Sequence, residues 1–163
     1  MLRPRRGPLR GTLQTKPLEL DPIFWDIVGL SELRTRRPAF RIQGAFTVPT
    51  AIIAEAEHAF DLAAVVDAAA PVLNELQRAF ERSERTYRTL GDFGPVLDQQ
   101  ASTDETMTTA KVVWLIALGR TQEAEQLVRE SLAAGSMGGF LFPLGDFNKV
   151  ALRYLTDGPS NSQ

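Results

Sequence analysis

The chain has no cysteine, and that one absence removes disulfides, thiol nucleophiles and every thiolate metal site together. A single histidine, His58, leaves any Ser-His-Asp arrangement with one candidate base, and leaves a catalytic zinc site, which draws about three protein ligands, short of imidazoles. Long apolar runs are missing too. The longest, over 112–118, falls far below the roughly 18 residues that a membrane span requires, so no integral membrane protein is expected. Only three lysines accompany 15 arginines, and alanine is abundant, a bias read as that of a GC-rich bacterial genome. The basic opening over 1–11 lacks the continuous apolar stretch of a secretory signal. Pro4 and Pro8 would interrupt the amphipathic helix of a transit peptide, so the expected location is cytoplasmic.

What is present is 163 residues, 44% of them apolar, which is enough for one hydrophobic core of ordinary size. The expected organisation is a flexible basic N-terminus over 1–8, a single globular domain over 9–156, and a disordered tail over 157–163. The net charge of -2 conceals an asymmetry: residues 1–41 carry nine basic and four acidic groups, a net +5, which leaves -7 for the remainder. Such a split suits a basic segment lying against its own acidic body better than it suits an anionic partner. No nucleic-acid partner is expected, and no membrane.

Two segments alternate as strands do. Leu9, Gly11, Leu13 and Thr15 share one parity, and Phe40, Ile42, Gly44, Phe46 and Val48 share another. Between them, Asp21 is placed to cap a short helix, Pro22 to open it and Gly29 to end it, with Ile23, Phe24 and Ile27 as its apolar face. From Thr50 the alanine-rich run to about Ala70 reads as helix, with a break near Asp61. Pro71 then starts another, whose Leu73, Leu76, Phe80, Tyr87 and Leu90 recur at helical spacing as its core face. Its other side is laced with opposite charges and reads as solvated.

Ser102 and Glu105 match a capping box that opens a helix apolar around most of its circumference, from Met107 through Trp114 to Leu118. That helix is the expected centre of the core. Gly119 stops it, and Thr121 caps a partner helix with the stripe Ala124, Leu127, Val128, Ser131 and Leu132, ended by Gly135. A last helix runs from Asp146 as N-cap through Val150 and Leu155. The words from Trp114 to Gly135, with Leu118-Gly119-Arg120 as the turn and Glu123-Ala124 opening the second helix, resemble a tetratricopeptide-type helical hairpin over about residues 102–135. No second copy lies at the roughly 34-residue period of such repeats, so the resemblance implies the packing of one hairpin and no superhelix.

Three glycines in five residues, Gly135, Gly138 and Gly139, invite a phosphate-loop reading. A phosphate loop follows a strand and opens directly into a helix; these glycines follow a helix, and read as a turn. His58, with Glu55 and Asp61 three residues to either side, would form a carboxylate–histidine–carboxylate row on a helix, most simply an exposed polar face. The expected fold is therefore α+β and predominantly helical, five or six helices packed with a small N-terminal β-sheet. The expected role is a non-enzymatic protein-interaction or assembly module, with a protein partner or self-association and neither cofactor, metal nor catalytic residues. The alternative is a small-molecule-binding protein or enzyme with a pocket between the N-terminal sheet and the helices, using Trp25, Arg41, His58, Phe140 and Phe142.

The Arg-rich start has no aromatic residue to stack on bases, and the acidic body opposes polyanions. The intact chain is accordingly expected to bind generic DNA or RNA only weakly at physiological salt. A salt titration checks this: tight binding whose logarithm falls by roughly 0.9 per phosphate contact against log salt, lost on deleting residues 1–8, would contradict it.

Overall fold

The computed structural model describes residues 6–35, 47–61, 65–139, 141–142 and 145–158. The fold is α+β and predominantly helical, with six α-helices among the described residues and a small N-terminal two-stranded sheet. In chain order these are β1 (Arg6–Thr15), α1 (Leu20–Ile27), a short 3-10 turn (Ser31–Thr35), β2 (Ala51–Asp61), α2 (Val65–Thr86), a second 3-10 turn (Leu90–Phe93), α3 (Gly94–Ala101), α4 (Glu105–Ala117), α5 (Thr121–Ala133), β3 (Leu141–Phe142), β4 (Gly145–Asp146) and α6 (Phe147–Asp157). They divide into two compact units. One comprises Met1–Thr15 with Ile52–Asp92, the other Lys16–Ala51 with Phe93–Gln163.

In the first unit β1 pairs with β2 and α2 packs against β1. The alternation of β1 is as expected, Leu9, Gly11, Leu13 and Thr15 half-buried and Arg10, Thr12 and Gln14 exposed. Residues 51–61 overturn the expected helix: they form an 11-residue strand. Alanine and glutamate favour a helix by intrinsic propensity, but their strict alternation over Ala54-Glu55-Ala56-Glu57 also fits a strand with one covered face, and tertiary pairing with β1 decides it. Arg10 and Glu57 meet across the pair at 2.6 Å on the exposed side, a contact that water weakens.

The helix α2 begins at Val65, ahead of the expected start, and carries Pro71 inside it. Its buried face also differs from expectation. Val72 and Ala79 are buried, whereas Leu73 and Phe80, one residue further round, are 63% and 47% exposed. The reason lies in β1. A Cβ at Gly11 would stand 2.7 Å from Leu76 Cδ1 and 2.9 Å from Val72 Cγ1, so glycine gives these two side chains room against the strand.

In the second unit α4 is the centre of the core, as expected: Ala110, Val112 and Val113 are fully buried and Met107, Trp114 and Leu115 nearly so. Its neighbours are α1, α3 and α5, and α5 in turn packs on α6. Ala124 and Val128 of α5 are buried, with Leu127, Ser131 and Leu132 half-buried beside them. Phe24 of α1 stacks on Phe147 of α6 with ring centroids 5.8 Å apart. The two-residue strands pair antiparallel, Leu141 with Asp146 and Phe142 with Gly145. The strand expected over Phe40–Phe46 lies outside the described residues, as do the ends of the chain; Val48, its last member, is buried.

Asp21 does not cap α1, which starts one residue earlier at Leu20. Its wholly buried carboxylate instead takes the Lys16 ammonium at 2.9 Å, and the same oxygen accepts the Val48 N–H at 2.9 Å. Lys16 Nζ also donates to the Val48 carbonyl at 3.2 Å. The side chains of Lys16 and Asp21 are only 4% and 0% exposed. Removing one member of such a pair strands a charge in a low-dielectric interior, at a cost of about 3–5 kcal/mol. Lys16→Met is therefore expected to destabilise the second unit by about 3–5 kcal/mol in chemical denaturation followed through Trp25 fluorescence, and Lys16→Met with Asp21→Asn by less. Equal losses in the two variants would show that the pair is not the relevant interaction.

Candidate functional site

Of the five residues expected to line a pocket, Trp25 and His58 are the two whose side chains are described, one in each unit. Trp25 is 1% exposed, inside the core of the second unit. His58 stands exposed on β2 of the first unit. Because β2 is a strand, successive side chains alternate faces and Glu55 lies on the face opposite His58, so the row expected of a helix does not form. Arg41 and Phe140 lie outside the described residues, and Phe142 contributes its backbone to β3. No three histidine, aspartate or glutamate side chains gather to hold a metal among the described residues.

The glycine loop after α5 does form an anion cradle, and a carboxylate of this chain fills it. Glu105 Oε1 accepts the Ser136 hydroxyl at 2.5 Å and the Gly138 N–H at 2.9 Å. The Ser136 hydroxyl and the Gly138 amide, helped by the amides of Met137 and Gly139, hold the Glu105 carboxyl below its ordinary range. The expected capping box is thus replaced: Asp104 caps α4, accepting the Thr106 N–H at 2.8 Å and the Thr106 hydroxyl at 2.7 Å. Glu105 is free to reach the loop.

Two further bonds fix the loop from below. Thr109, fully buried on α4, donates to the Gly138 carbonyl at 2.6 Å, and Asn148 Nδ2 donates to the Ser136 carbonyl at 3.0 Å. Gly138 and Gly139 both have φ above +70°, and a Cβ on Gly139 would lie 2.6 Å from Thr106 Cγ2. Side chains at these two positions would meet strain and contact at once. Asp146, the expected N-cap of α6, accepts the Lys149 N–H at 3.0 Å and pairs with Lys149 Nζ at 2.7 Å. Burial works to raise its carboxyl, but the bonds and charge of Lys149 outweigh that and hold it below the ordinary value.

An open cleft of about 320 Å³ runs beside the α4–α5 pair. Four of its charges are paired at home, Lys111 with Asp98 at 2.8 Å and Arg120 with Glu123 at 2.5 Å, the Arg120 guanidinium standing 5.6 Å over the Trp114 ring. A ligand there would have to compete with these partners.

A further surface feature among the described residues is on α2. Leu73 and Phe80 are seven residues apart, which sets them about 20° from one another around the helix. They form one outward stripe with Val72 and Ala79 turned about 100° away toward β1.

Because folding lowers the Glu105 and Asp146 carboxyls, each contributes stability that is present above its unfolded value and lost as pH falls through its lowered folded value. Glu105→Gln is expected to flatten the acid limb of the second unit's stability curve and to raise amide exchange at Met137–Gly139, with the α4 core unchanged. An acid limb identical to that of the parent chain would contradict this. Comparison of the chain with family models, with curated proteins and with solved structures finds no match.

Proposed function

We propose that the chain is a non-enzymatic protein-interaction or assembly module of the bacterial cytoplasm, and that the outward stripe of α2 is its contact surface. The observation that carries this is the pair Leu73 and Phe80, two large apolar side chains held 63% and 47% exposed on one face of a 22-residue helix. A single exposed leucine is ordinary, but aligned anchors on a rigid helix follow the pattern by which helices dock on partners. The α4–α5 pair serves in this reading as one tetratricopeptide-like hairpin that supplies packing. The pocket alternative gains no comparable support, since Trp25 has 1% of its surface exposed.

Leu73→Glu with Phe80→Glu places charge where an apolar partner must sit, while leaving Val72 and Ala79 on β1. The expected result is unchanged helicity and loss of association, read as molar mass by light scattering and as partner capture in the native host. Unchanged association in this variant would overturn the reading.

A further inference from the structure

We draw no further inference here: the strongest candidate, the outward apolar face of α2 around Leu73 and Phe80, carries nothing beyond the interaction reading, because nothing in the structure shows what covers it.

Discussion

Val72 and Leu76 come so close to β1 that one added methyl at Gly11 would fall 2.7 Å from a leucine carbon. The first unit depends on this approach. A two-stranded ribbon is marginal in water without a covered face, and among the described residues α2 provides that cover. Once α2 turns Val72 and Ala79 inward to provide it, helix geometry carries Leu73 and Phe80 outward. The exposed stripe thus follows from which edge of α2 covers the ribbon.

The second unit solves its packing differently. Its central helix, α4, is apolar almost all round and is enclosed by α1, α3 and α5, so no large apolar face of α4 is left for another molecule. Its polar groups are likewise satisfied at home for the most part. The glycine loop presents backbone amides to an anion, and Glu105 of the neighbouring helix supplies the anion. The cleft beside α5 holds ion pairs between its own residues. A unit that satisfies its donors and charges internally is suited to rigidity, and the outward apolar stripe belongs to the other unit.

The features legible in the sequence were those decided locally. The all-round apolar pattern of α4, the turn at Gly119 with φ +74° and the Asp146 cap each depend on residues within a turn or two, and each is found where local chemistry puts it. What escaped depends on distant partners. Residues 51–61 have the propensity of a helix and the alternation of a strand, and only pairing with β1 separates the two. The apolar spacing of Leu73 and Phe80 is visible, but their outward direction depends on which edge of α2 packs on β1, far away in the chain. Glu105 looked like a local cap, yet its carboxylate is held by Ser136 and Gly138, about 30 residues later. His58 seemed grouped with two carboxylates only under the helix assignment that β2 replaces.

The central claim is that α2 has two working faces, one spent on β1 and one offered to a partner molecule. Amide hydrogen exchange measured across a range of protein concentrations reads both at once. The account predicts that protection along the segment from Ala69 to Glu84 rises with concentration, while protection in α4 stays constant. Protection of α2 that is independent of concentration, and unaffected by any partner in a native extract, would contradict it.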